Sequence, residues 1–146
     1  MQNMDNSVSK WVSVLYRYRK RFMSKRLEPY GIVGGMFTIL LTVSKYDGIN
    51  QEQISDYLKI DKTTTAKAIK KLEDEGYIRR EMDCEDKRIN RVYITQKTVE
   101  IIPEISMALT EWDQILRSGI SEDAYQDAER TLHKMAENAC KETCGS

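Results

Sequence analysis

The residues with the most pointed chemistry in this 146-residue chain lie between Asp61 and Ile94. The stretch Asp61-Lys62-Thr63-Thr64-Thr65-Ala66-Lys67-Ala68-Ile69-Lys70-Lys71 joins small hydroxyl side chains to lysines. Hydroxyls can approach a base edge or a phosphate closely, and lysines reach phosphates or guanine edges. Asp61 is a residue type that caps helices, and the free amides of a helix start favour phosphate. Farther on, Asp86-Lys87-Arg88 lies between two strand-like runs. An arginine at a loop tip can enter the narrow, negative minor groove of DNA. A carboxylate beside it would repel phosphate, but it can hold the guanidinium through charge-assisted hydrogen bonds. Asp86 is therefore read as orienting Arg88.

Periodicity supplies the elements that must position these groups. Ser7 to Leu27 reads as one helix, with Trp11, Leu15, Tyr18 and Phe22 on one face and basic residues over most of the rest. Glu28-Pro29-Tyr30-Gly31 ends it, because the residue before proline is pushed out of the helical region. A second helix is expected over Val33–Lys45, apolar across a wide arc and weakened at Gly34-Gly35. Asn50 with Gln53 three residues on forms a capping box for a short helix whose core face is Ile54, Tyr57 and Leu58. Asp61 caps the next helix, which runs to about Glu75 and stops at Gly76, with Thr65, Ala68, Ile69 and Leu72 facing inward. Tyr77–Met82 and Ile89–Ile94 read as the strands of a hairpin around a polar loop. Thr95 is the expected cap of a long helix with a seam of Ile102, Ile105, Leu109, Trp112 and Leu116. Pro103 kinks that helix or marks its start. Gly119 ends it, and Ser121 caps a last helix with Ala124, Ala128, Leu132, Met135 and Ala139 on one face.

The order helix, helix, short helix, helix, hairpin, helix, helix is mainly α with a small β-hairpin wing. It is the winged helix-turn-helix arrangement flanked by N- and C-terminal helices. In a helix-turn-helix the second helix enters the major groove with its N-terminal residues near base edges. The residues expected to face double-stranded DNA are therefore Lys62, Thr63, Thr64, Ala66, Lys67, Lys70 and Lys71, joined by Asp86 and Arg88 from the wing. The seam on the penultimate helix is broader than one small core requires, so a second copy of the chain is the expected partner.

Composition narrows the alternatives. With 40% apolar and 32% charged residues, the chain is neither disordered nor membranous. No apolar run is long enough to span a bilayer, and Met1 to Ser9 lacks the basic flank and apolar stretch of a signal peptide. The expectation is a cytoplasmic protein. Net charge is zero, with 23 basic and 23 acidic residues, but the charges segregate. Lys10, Arg17, Arg19, Lys20, Arg21, Lys25 and Arg26 crowd the first helix, whereas acids dominate beyond residue 98. One basic side can still attract phosphates locally. Nothing resembles a phosphate loop, a metal-ligand cluster or a nucleophile–histidine pair, so catalysis and a cofactor are not expected. His133, the sole histidine, makes a poor zinc set with Cys140 and Cys144.

Three runs together resemble the MarR family of bacterial and archaeal regulators: Gln53-Ile-Ser-Asp-Tyr-Leu, Asp61-Lys-Thr-Thr-Thr-Ala-Lys, and Leu72-Glu-Asp-Glu-Gly-Tyr-Ile-Arg-Arg. So does Asp83-Cys-Glu-Asp-Lys-Arg followed by Ile94-Thr-Gln-Lys. The resemblance covers about residues 8 to 140 and is strongest from 49 to 98. It implies a single domain over residues 1–146, with dimerisation helices at 7–30 and 99–140 and a DNA-binding lobe at 33–98. It also implies a near-palindromic operator, and repression relieved by a small ligand or by oxidation. The family's wing pair maps onto Asp86 and Arg88, and its recognition contacts onto Thr63, Thr64, Ala66 and Lys67. Ala66 stands where relatives often carry a hydroxyl, and Gly34-Gly35 departs from the usual polar start of the second helix.

Small aromatic acids often bind family members between the dimerisation helices and the winged lobe. Tyr16, Arg17, Lys20, Met36 and Ile39 are the residues that could line such a cleft, with Arg17 or Lys20 holding a carboxylate. Two other readings keep the fold. One is a winged-helix module for protein contacts. The other is a redox-responsive regulator in which oxidation of Cys84 disturbs Arg88.

Overall fold

The computed structural model describes residues 7–143. The described chain folds as two compact units, divided between Leu109 and Thr110.

In the first unit, α1 (Val8–Leu27) starts at Ser7, whose hydroxyl accepts the Lys10 amide at 3.2 Å. A short 3-10 turn at Glu28–Tyr30 closes on Gly31 in the left-handed region, φ 71°. Helix α2 runs Met36–Lys45, so it begins later than the expected Val33. Gly34 adopts φ 59°, outside the helical region, and its amide donates to the Ser24 hydroxyl of α1 at 3.2 Å. Helix α3 (Gln51–Leu58) carries the expected capping box, with Asn50 and Gln53 bonding each other's backbone amides. Helix α4 (Lys62–Asp74) begins at its Asp61 cap.

Strands β1 (Ile78–Met82) and β2 (Asn90–Ile94) form an antiparallel pair, registered from Ile78 opposite Ile94 to Met82 opposite Asn90. The turn before α3 adds an edge to this hairpin. The Gly48 amide donates to the Val92 carbonyl and the Val92 amide to the Ile49 carbonyl, each at 2.9 Å, and Asn50 bridges to Arg91. Gly48 sits at φ 88°, and a β-carbon there would meet the Tyr93 ring at 3.1 Å. Only glycine fits without strain.

Helix α5 (Gln96–Arg117) holds Pro103 in its interior, so the proline does not mark its start. Thr95, the expected cap, has its hydroxyl directed elsewhere, toward the Gly76 and Tyr77 carbonyls at 2.7 and 3.1 Å. The buried stripe of α5 is Thr98, Ile101, Ile105 and Ala108, with Ile102 and Leu109 packed at its margin.

The core of the first unit gathers Met23 and Leu27 from α1, Phe37, Ile39, Leu40 and Val43 from α2, and Ile54 from α3. Ile69 and Leu72 come from α4, Val92 from the wing, and Ile101 and Ile105 from α5. The inward face expected for α4 is therefore the buried one. The apolar faces of α3 and α1 are buried only in part, with Ile54, Leu58 and Phe22 packed in or against the core. Tyr57 is half-exposed and meets Tyr46 edge-on, with ring centroids 5.5 Å apart. On α1, Trp11, Leu15 and Tyr18 remain exposed; its buried residues are Met23 and Leu27 at the C-terminal end.

The second unit contains the end of α5 and α6 (Glu122–Thr143). The Ser121 hydroxyl accepts the Ala124 amide at 3.2 Å. Arg117 links the two helices by donating to Asp113 at 2.6 Å and Glu122 at 2.7 Å, while its guanidinium lies 3.9 Å from the centre of the Tyr125 ring. Tyr125 donates to the other Asp113 oxygen at 2.5 Å. No α6 residue among those described is buried, the Ala124–Ala139 face included.

Ile69 is fully buried where α4 meets the rest of the first unit. Ile69→Ala should destabilise the protein by about 2–5 kcal/mol through lost transfer energy and a residual cavity. Urea unfolding followed by circular dichroism checks this; an unchanged midpoint would mean that α4 is not anchored through its apolar face.

Candidate nucleic-acid interface

The placement of α4 begins with a buried joint. The Thr65 hydroxyl donates to the Asp61 carbonyl at 3.0 Å and accepts from the Ser55 hydroxyl at 2.7 Å. Both side chains are buried, so each needs a partner once water is excluded. With Thr65, Ile69 and Leu72 turned inward, Lys62, Thr63, Thr64, Lys67, Lys70 and Lys71 are exposed. Ala66, expected to face outward, is half-buried.

The exposed residues are not equivalent. Asp61 accepts the Thr64 amide at 2.8 Å and the Thr64 hydroxyl at 2.6 Å. These bonds, the hydroxyl's foremost, hold the Asp61 carboxyl below its ordinary range. The Thr64 hydroxyl proton is thus engaged, whereas among the described residues the Thr63 hydroxyl makes no such bond. Lys62 pairs with Glu52 at 3.1 Å and Lys70 with Asp74 at 3.4 Å, both well exposed. Among the described residues Lys67 and Lys71 have no carboxylate partner.

At the wing, Arg88 donates from Nε and one terminal nitrogen to the two Asp86 oxygens, each at 3.0 Å, and its amide donates to Asp86 Oδ1 at 3.0 Å. The side-chain bonds first, then the backbone bond, hold the Asp86 carboxyl below its ordinary range. The Arg88 side chain is nevertheless 90% exposed. Two of the five guanidinium donors are engaged, which leaves an oriented cationic head with donors to spare.

Three further contacts in this region join residues too far apart in sequence for local patterns to reveal. Arg80 forms a bidentate pair with Glu73 at 3.1 and 2.8 Å, tying β1 to α4. The Tyr77 hydroxyl donates to the Tyr30 carbonyl at 2.5 Å. Arg91 donates to Asp83 at 2.5 Å and to the Gly48 carbonyl at 3.1 Å. A cleft of about 240 Å³ opens between the helix-turn-helix and the wing, lined among others by Asn50, Gln51, Lys62, Arg88 and Asn90. A shallower one lies beside Tyr46, Tyr57 and Arg91.

Neither cleft is lined by the residues expected to hold a small acid. Tyr16, Arg17 and Lys20 are exposed on α1, whereas Met36 and Ile39 are buried core residues of α2. Cys84 is exposed in the wing loop and Cys140 half-buried on α6; Cys144 lies outside the described residues. His133 is exposed, 3.6 Å from Glu137. Among the described residues, no three or more histidine, cysteine, aspartate or glutamate side chains cluster as a metal site would require, and no helix is long and apolar enough to cross a membrane.

Comparison with known proteins agrees with this geometry. The MarR family model matches residues 35–89, from the residue before α2 to the end of the wing loop, just before β2. A MarR transcriptional regulator from Methanosarcina mazei is 44% identical, with a TM-score of 0.85 over 92% of this chain and 96% of that one. The HTH-type transcriptional regulator BilQ of Clostridioides difficile is 26% identical over 87% of this chain and 86% of its own length. A MarR-family regulator from Listeria monocytogenes, solved in complex with a 26mer DNA, is 25% identical with a TM-score of 0.87, covering 94% of this chain and 91% of that one. With identity and coverage of this extent, the chain belongs to the MarR family of winged helix-turn-helix transcription regulators, which are DNA-binding proteins and not enzymes.

Proposed function

We propose that this protein is a homodimeric repressor of the cytoplasm that reads a near-palindromic operator and is released by a small ligand, an aromatic acid in our reading. The observation that carries the DNA-reading part is the Asp86–Arg88 pair, which holds a nearly fully exposed guanidinium in the wing loop. In this reading the N-terminal half of α4 enters the major groove. Thr63, Thr64 and Ala66 approach base edges, and Lys62, Lys67, Lys70 and Lys71 meet bases or phosphates. Arg88 enters the adjacent minor groove, and Asp86 orients it without touching DNA. The Listeria complex supports DNA as the partner.

Exposed apolar side chains support the second copy of the chain. Val8, Trp11, Val12 and Leu15 lie on α1, Met107 and Ile115 on α5, and Leu132 and Met135 on α6. Apolar surface of this extent on terminal helices is what an obligate interface covers. Residues 7–30 and 99–140 are then the dimerisation helices of one domain over residues 1–146, and residues 33–98 its DNA-binding lobe. Arg17 and Lys20 on α1 supply cations able to hold the carboxylate of an effector.

Arg88→Ala should weaken binding to a duplex selected from random DNA by about 5- to 100-fold, with the unfolding midpoint unchanged; unaltered affinity would remove the wing from the interface. Sedimentation at micromolar concentration should give twice the chain mass of 17.0 kDa, and a stable monomer would contradict the dimer.

A further inference from the structure

Within the wing, one ion pair reaches back to the body of the first unit, and the DNA-reading proposal does not use it. Asp83 opens the wing loop, and its side chain is 13% exposed. Its Oδ1 accepts the amides of Glu85 at 2.8 Å and Asp86 at 3.2 Å, so this one carboxylate shapes the loop. Its Oδ2 accepts Arg91 Nε at 2.5 Å. The same guanidinium donates from its NH1 nitrogen to the carbonyl of Gly48, in the turn between α2 and α3, at 3.1 Å. That turn is itself bonded to β2 through the Gly48 and Val92 amides. Asp86, whose amide Asp83 holds, then grips Arg88 through both carboxylate oxygens.

These contacts form a continuous chain from the turn before the helix-turn-helix to the tip of the wing: Gly48, Arg91, Asp83, Asp86, Arg88. A guanidinium can make the two divergent bonds at its root because its donors are fixed in a planar fork; a lysine cannot present that geometry.

We propose that Arg91 is a positioning residue for DNA binding, acting through Asp83 and Asp86 to aim Arg88 from the body of the winged lobe. It does not touch DNA in this scheme. The inference rests on the DNA-reading role proposed above for Arg88.

The test is a double-mutant cycle, read as affinity for a duplex that the wild-type protein selects from a random pool. Arg91→Ala should weaken binding about 5- to 30-fold when Arg88 is present and less than about twofold in an Arg88→Ala background, because coupled residues are non-additive. Hydrogen exchange should show the Glu85 and Asp86 amides losing protection in Arg91→Ala. Asp83→Asn keeps an acceptor for those amides but removes the charge, so it should show the same coupling with Arg88 even if Arg91→Ala folds poorly. Equal losses in both backgrounds would mean that Arg91 acts independently of Arg88, and would overturn the proposal. So would full affinity in Arg91→Ala alongside a weakened Arg88→Ala. Full affinity in Arg88→Ala itself would instead sink the wing's role in binding, a different failure from that of the positioning scheme.

Discussion

A hydrogen bond between two small buried side chains sets what this protein can present to a partner. Ser55 and Thr65 meet at 2.7 Å between α3 and α4, and Thr65 also holds the Asp61 carbonyl at the start of α4. Each hydroxyl also reaches a carbonyl of its own helix, Thr65 that of Asp61 and Ser55 that of Gln51, so both are satisfied without water. Together they satisfy each other and allow Ile54, Ile69 and Leu72 to close around them. The rest follows from helix geometry: once Thr65, Ile69 and Leu72 are inside, Thr63, Lys67 and Lys71 must be outside. The surface proposed to read DNA is the remainder left by the core.

Three acids beside the proposed DNA-facing residues are held by local bonds. Asp61 is engaged by the Thr64 amide and hydroxyl, Asp83 by two loop amides and Arg91, and Asp86 by Arg88. Each of these carboxylates stabilises local geometry rather than facing outward as free negative charge. The basic groups divide in the same way. Lys62 and Lys70 are paired with acids, Arg80 and Arg91 are structural, and Lys67, Lys71 and the free edge of Arg88 project outward. Local arrangement, more than net charge, decides whether phosphates are attracted.

Much of the fold was legible because its signals are local. The Asn50–Gln53 capping box, the Asp61 cap, the period of α4 and the two strands each involve residues a few positions apart, and each lies within a residue or two of its expected place. The Asp86–Arg88 pair was legible for the same reason. The misreadings arose where tertiary context overrides a local pattern. Val33–Gly35 continues the apolar run of α2, but Gly34 adopts φ 59°, outside the helical region, and its amide donates to the Ser24 hydroxyl. Tyr57 has the right spacing for the core, yet it stays half-exposed and packs edge-on against Tyr46. The Ser55–Thr65 joint, the Glu73–Arg80 pair and the Gly48–Arg91–Asp83 link leave no periodic trace, since each depends on how the elements pack.

The central claim is that cations on α4 and the wing replace counterions on DNA phosphates. The most direct test is the affinity of the wild-type protein for a selected duplex, measured across a series of salt concentrations. Each neutralised phosphate contributes about −0.9 to the slope of log affinity against log salt. The account predicts a steep negative slope equivalent to several phosphates. Affinity that does not change with salt would contradict it.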